Sequence, residues 1–137
     1  MIIDATNLIV GRFATQVAKK ALLGESVDIV NCENAVISGK RDNIIGEYMQ
    51  KKQRGIPTKG PFISTLPDRF VKRIIRGMLP YKQEKGEKAF KRIKCHIGLP
   101  ESLKEQKMHS ISDASFSKLS SQDYVRVGEL CKLIGGK

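Results

Sequence analysis

Hydrophobic positions along the chain change period several times, and each change marks an element. Met1 to Thr6 opens on Met1, Ile2 and Ile3 before Asp4, the pattern of a short strand. Asn7 to Ile9 is a turn. From Val10 to Leu23 the apolar residues Phe13, Ala14, Val17, Ala18, Ala21 and Leu22 share one face of a helix. Arg12, Lys19 and Lys20 take exposed positions, and Gly24 stands where helices commonly end in a left-handed residue. Ser26 to Cys32 (SVDIVNC) is a second strand, at least half buried. Strand, helix, strand with short links is a βαβ unit, which implies a parallel sheet with a right-handed crossover.

The middle of the chain is more broken. Ala35-Val36-Ile37 is a brief apolar connection, after which Ser38 caps a helix running to about Lys52, with Ile44, Ile45, Tyr48 and Met49 as its buried side. Residues 53–64 (QRGIPTKGPFIS) carry Gly55, Pro57, Gly60 and Pro61 and form a long extended loop. Leu66 to Pro80 (LPDRFVKRIIRGMLP) is a short helix. Thr65 or Leu66 caps its start, Pro67 lies in the first turn, Asp68 sits at the positive end of the dipole, and Gly77 and Pro80 close it. Arg69, Lys72, Arg73 and Arg76 fall at i, i+3, i+4 and i+7, one stripe of that helix, and Phe70, Val71, Ile74, Ile75 and Met78 fall opposite. Tyr81 to Lys85 is a basic turn. Gly86 to Lys91 is a short helix with Ala89 and Phe90 inside, and Ile93 to Ile97 is a third strand stopped by Gly98-Leu99-Pro100. Residues 101–123, with six serines between Ser110 and Ser121, read as an irregular surface excursion. Tyr124 to Val127 is a fourth strand, Gly128 to Ile134 a closing helical turn or two, and Gly135-Gly136 ends the chain. No internal repeat is visible.

Composition adds two things to this pattern. The 137 residues, 40% apolar, suit one domain over 1–137, and with 6% aromatics and no Trp the core is expected to be aliphatic. The net charge is +11, and its location matters more than its size. Residues 40–94 hold sixteen of the Lys and Arg against five acids, whereas the remainder is balanced at nine of each. A localised excess points to an interface with nucleic acid, or less well with anionic lipid. No run of eighteen apolar residues occurs, so no membrane-spanning helix is expected. MIIDATN lacks the basic and apolar regions of a secretory signal. Cys32, Cys95 and Cys131 are odd in number and dispersed, which suggests free thiols in a reducing compartment.

Candidate chemistry narrows quickly. A dinucleotide fingerprint at Ile3 to Arg12 would need three spaced glycines, and only Gly11 is present. Ser38-Gly39-Lys40 ends like a phosphate-binding loop, but Asn34 and Arg41 stand where that loop needs Gly and Ser or Thr. The helix start there could hold one phosphate of a polyanion, or Lys40 and Arg41 could simply be solvated beside a cap. Cys32, Cys95, His96, His109 and Cys131 have no metal-ligand spacing, and neighbours Cys95 and His96 point to opposite faces of a strand. No nucleophile has the local context that activates one. We therefore expect no catalytic residue, no metal, no cofactor and no small-molecule substrate. What stands out is the helical stripe. No acids are interspersed along it, and the loop before it and the turn after it are basic too. The expected RNA-binding set is Arg12, Lys40, Arg41, Lys51, Lys52, Arg54, Lys59, Arg69, Lys72, Arg73, Arg76, Gly77, Lys82, Lys85, Lys88, Lys91 and Arg92. Aromatics available to stack on bases are few: Tyr48, Phe62, Tyr81 and Phe90, of which Phe90 reads as core, while Phe62 and Tyr81 could stack or anchor their loops. The surface reads more as a reader of folded RNA shape than as a single-strand platform.

The run RGMLP (Arg76 to Pro80), then Lys85-Gly86, Ala89, Arg92-Ile93-Lys94 and Gly98-Leu99-Pro100, resembles the signature of the universal large-subunit ribosomal protein L-thirteen family. Asp4 through Lys40 is similar to the family's opening, so the resemblance covers nearly the whole chain. The direct step from Leu23 and Gly24 into the second strand, and the short C-terminus, resemble the archaeal and eukaryotic-cytosolic branch, on the archaeal side. Two positions depart from the pattern. Relatives tend to have an aromatic where His96 stands, which leaves function untouched, and an Arg near Thr65, which bears on one backbone contact ahead of the helix. The resemblance implies a three-layer α/β/α fold around a four-stranded parallel sheet. It also implies a structural, non-enzymatic role in assembling large-subunit ribosomal RNA beside other ribosomal proteins, in the cytoplasm. It places Arg76 on the RNA side, has Gly77 permit close backbone approach, and has Met78 and Leu79 pack inward.

Overall fold

The computed structural model describes residues 1–135; Gly136, expected to end the chain with Gly135, lies outside the described residues. Strand β1 (Ile2–Asp4), helix α1 (Val10–Leu22) and strand β2 (Val27–Val30) form the expected βαβ unit, with Ile2, Ile3 and Asp4 paired in parallel register to Asp28, Ile29 and Val30. A single 3-10 turn (Cys32–Asn34) leads to β3 (Val36–Ser38), and α2 (Arg41–Gln53) follows. Beyond the loop come α3 (Pro67–Gly77), α4 (Glu84–Lys91) and β4 (Ile93–Cys95). The serine-rich segment contains β5 (Met108–His109), and β6 (Tyr124–Arg126) runs into α5 (Val127–Leu133).

The main sheet has four parallel strands in the order β4-β2-β1-β5. Neighbouring side chains on a strand point to opposite faces. Ile2 and Ile3 are both buried, as are Ile29 and Val30, so both faces of the sheet are covered. This is the three-layer α/β/α arrangement. On one side α1 packs against both α3 and α4, burying Phe13, Ala14, Val17, Ala18 and Ala21. The core is aliphatic apart from Phe13, Phe70 and the thiols Cys32 and Cys131.

The structure corrects four local expectations. The fourth strand of the parallel sheet is Met108–His109, inside the segment expected to be irregular; both residues are exposed and only their backbone joins the sheet, beside Ile2 and Ile3. Tyr124–Arg126 is a strand, but it pairs antiparallel with Val36–Ser38, of which Val36 and Ile37 are expected in a connection and Ser38 as a helix cap. Ser38 therefore ends a strand and does not cap α2. Gly39 at φ +130° turns the chain, and Lys40 takes the cap position without a side-chain bond. Leu22, expected on the buried face of α1, is exposed because that face ends at Ala21.

Asp4 ties the ends of β1 and β2 together. Its Oδ1 accepts bonds from Thr6 N–H (3.0 Å), Thr6 Oγ1 (2.7 Å) and Asn31 Nδ2 (3.0 Å), which holds Asn31 at a left-handed φ of 56°. Partial burial works to raise this carboxyl, but the Thr6 and Asn31 bonds outweigh it and hold the pKa below its ordinary value. A depressed native value means the bonds stabilise fully above the unfolded carboxyl's pKa of about 4 and are lost as pH falls through the lower native value. Asp4→Ala is expected to cost about 1–3 kcal/mol at pH 7. Its deficit relative to the unaltered chain should shrink on acidification below about pH 4, as urea denaturation at several pH values will read out.

Candidate nucleic-acid interface

Helix α3 builds the surface. Leu66, extended, takes the N-cap, Pro67 enters the first turn and Asp68 follows. Phe70, Val71 and Ile75 are buried, and Leu79 just beyond the helix is buried too. Met78 is not: it is 42% exposed, with its sulfur 3.8 Å from Thr15 Oγ1, because the helix ends at Gly77 and the inward position passes to Leu79. On the other face Arg69 and Arg73 are exposed, and Lys72 and Arg76 are half-buried.

Among the described residues, no carboxylate lies within 4 Å of any of these four cations. Three of them are held by other means. Arg73 Nη1 donates to the Phe62 carbonyl at 2.6 Å, Lys72 Nζ lies 4.8 Å from the centre of the Phe90 ring, and the Arg76 guanidinium lies 4.9 Å from that of Tyr81. Rings and a carbonyl fix the side chains while leaving the full positive charge in place. With Ser64, the four cations and Phe90 line an open groove of about 490 Å³. Such a groove attracts a chain of anionic groups.

The remaining expected residues divide by partner. Arg54 and Lys59 are exposed on the loop that Arg73 ties to α3, and Lys82 and Lys85 are exposed between α3 and the first turn of α4, with no acid partner among the described residues. Lys51, Lys88 and Lys91 pair with Glu47 (2.8 Å), Glu84 (2.6 Å) and Glu87 (3.0 Å), each four residues earlier, so their charge is locally offset. Arg41 is paired with Glu129 of α5, and Lys52 donates to the Ile134 carbonyl. Arg92 donates to the Ala21 carbonyl at 3.0 Å, tying α1 to the end of α4. Arg12 reaches the Asp113 carbonyl at 3.5 Å and borders a cleft with Ser38, Tyr48 and Ile74. Lys40 is exposed at the start of α2. The structure thus gathers the α3 stripe, the 54–62 loop and the 81–85 turn, and turns Arg41, Lys52 and Arg92 toward internal partners. Ser64 is a groove residue that the sequence did not single out; a lone serine in a loop carries no signal.

The thiols are dispersed in sequence but not all in space. Cys32 Sγ donates to the Ile29 carbonyl at 3.7 Å, and the neighbouring Cys95 thiol together with burial pushes the Cys32 thiol up. Burial, with the negative charge of Asp68 adding to it, pushes the Cys131 thiol up to about 11. Both are protonated at neutral pH and poor nucleophiles. No helix among the described residues is long and apolar enough to cross a membrane.

Fold and surface together define an α/β/α protein that presents an un-neutralised cationic helix face. The family model for ribosomal protein L13 matches residues 1–102. The large ribosomal subunit protein uL13 of Methanosarcina barkeri is 45% identical over 137 residues, covering 99% of this chain and 98% of the relative. Its namesake from Methanopyrus kandleri is 43% identical, covering 98% and 86%, and that from Methanocaldococcus jannaschii 39%, covering 99% and 98%. The chain belongs to the ribosomal protein L13 family, on its archaeal branch.

Proposed function

We propose that this chain is a structural constituent of the large ribosomal subunit in the cytoplasm. It binds and helps fold large-subunit ribosomal RNA during assembly, has other large-subunit proteins as neighbours, and catalyses no reaction. The observation that carries this reading is the set of four cations on α3 without acid partners among the described residues, in a chain whose near-full-length relatives are named large ribosomal subunit proteins. Phosphate contacts position a protein on folded RNA and need only cations and N–H groups, so no cofactor enters. The whole chain acts as one ribosomal-protein domain, with its RNA face inside residues 40–94. Arg69, Lys72, Arg73 and Arg76 are the central contacts, with Arg54, Lys59, Lys82 and Lys85 at their flanks. Lys51, Lys88 and Lys91 contribute less, because a glutamate already shares each charge. Arg12, Lys40, Arg41, Lys52 and Arg92 border the face and Gly77 lets RNA approach the backbone. A tagged chain expressed in an archaeal host is expected to sediment with the large subunit and to resist a moderate salt wash, with hydroxyl-radical footprints on large-subunit RNA. Recovery wholly in the ribosome-free fraction would overturn the proposal.

A further inference from the structure

The chain has eight aromatic residues, and seven are already occupied. Phe13 is buried, Tyr48 and Phe70 pack together at 5.2 Å, and Phe116 and Tyr124 at 5.6 Å. Phe90 and Tyr81 each lie under a cation of the α3 stripe. Among the described residues Phe62 alone is neither buried nor partnered by a ring or a cation, and it is 65% exposed. Leaving a phenyl ring in water forgoes burial that would ordinarily be favourable.

The ring is nevertheless held in place. Ile56 and Gly60 close the loop through two backbone bonds, Gly60 N–H to Ile56 O at 2.9 Å and Ile56 N–H to Gly60 O at 3.2 Å. The ring lies against Gly60, where an added Cβ would stand 3.0 Å from Cδ2 and Cε2. The carbonyl of Phe62 is clamped by Arg73, a central cation of the stripe. Phe62 is therefore a ring seated on Gly60, open to solvent, with its backbone anchored beside the cations of the stripe. Resting on the RNA-binding reading above, we infer that Phe62 is a stacking platform for an unpaired base of the bound RNA. A base within a helix already has neighbours on both faces, so the partner is a bulged or looped nucleotide whose own phosphates reach Arg73 and Arg69. An apolar protein pocket would have to accept those flanking cations as well, which makes nucleic acid the better fit.

The absence of tryptophan gives a direct test. Phe62→Trp introduces the only indole, whose emission reports stacking. With transcribed Methanosarcina barkeri large-subunit RNA as the probe, this variant is expected to bind like the unaltered chain, with emission quenched in step with binding. Phe62→Leu, which keeps apolar bulk but cannot stack, is expected to bind about five- to a hundredfold more weakly at an unchanged salt slope. If the unaltered chain binds with a steep salt slope while Phe62→Leu binds equally well and the indole emission does not move, the stacking inference is overturned and the RNA-binding reading stands. If the unaltered chain does not bind this RNA, both are overturned.

Discussion

Arg69, Lys72, Arg73 and Arg76 changed together to Gln will flatten the salt dependence of RNA binding by roughly two to four units on a log–log plot. Each phosphate neutralised by a protein cation releases condensed counterions and contributes about 0.9 to the slope on duplex, somewhat less on single strands. The four side chains carry charge that no carboxylate of the described residues offsets, so each is available to a phosphate. Over the decade from 1 M to 0.1 M salt, that change corresponds to roughly a hundred- to ten-thousand-fold loss of affinity. The fold survives because the apolar residues Phe70, Val71 and Ile75 lie on the other face of α3. Losing the Arg73 bond to Phe62 costs about 1 kcal/mol, against which removal of like-charge neighbours returns a few tenths per pair. The same substitution at Lys88 and Lys91 moves the slope less, since Glu84 and Glu87 already hold them. Filter binding from 50 mM to 500 mM salt distinguishes the cases. An unchanged slope in the fourfold variant would mean that this helix face is merely solvated.

The sequence was informative wherever side chains had to satisfy a period. The opening βαβ unit was legible because Phe13, Val17 and Ala21 repeat at helical spacing and Ile2, Ile3, Ile29 and Val30 must be buried on both faces of a covered sheet. The α3 stripe was legible for the same reason. Met108–His109 was not, because an edge strand of two exposed residues is defined only by its backbone bonds to β1. Tyr124–Arg126 was recognised as a strand but assigned to the wrong sheet, since a strand's own residues do not name its partner; Val36–Ser38 supplies that partner. At the interface, position in the stripe was readable but charge balance was less so. The spacing of Glu84 with Lys88 and of Glu87 with Lys91 was available as a pairing signal. The pairing of Arg41 with Glu129, across the fold, was not.

Gly77→Ala and Gly86→Ala, nine residues apart, will have opposite effects. Gly86 is buried in α4, where the Pro80–Tyr81 backbone crosses it. A Cβ there would overlap the Pro80 carbonyl and stand 2.9 Å from the Tyr81 nitrogen. The obstacle is backbone and cannot swing aside, so the cost lies at or above the upper end of the usual overpacking range, about 3 kcal/mol. That is a large share of a typical total of about 5–15 kcal/mol and lowers the melting temperature by roughly ten degrees. The shift also displaces Tyr81, on which Arg76 rests, so RNA affinity falls with stability. Gly77 is the reverse case. It is helical and exposed, and an added Cβ meets nothing within 4 Å. Alanine there stabilises the chain by up to about 1 kcal/mol, because a glycine loses more conformational freedom on folding. Nothing among the described residues packs against position 77, which leaves room for the close RNA approach proposed above beside Arg76. Gly77→Ala should therefore melt at the same or a higher temperature and yet bind large-subunit RNA more weakly. Calorimetry and filter binding on the two variants separate a glycine kept for the fold from one kept for the RNA. Undiminished binding by Gly77→Ala would remove the close-approach argument, and an unshifted melt for Gly86→Ala would contradict the crossing at Pro80.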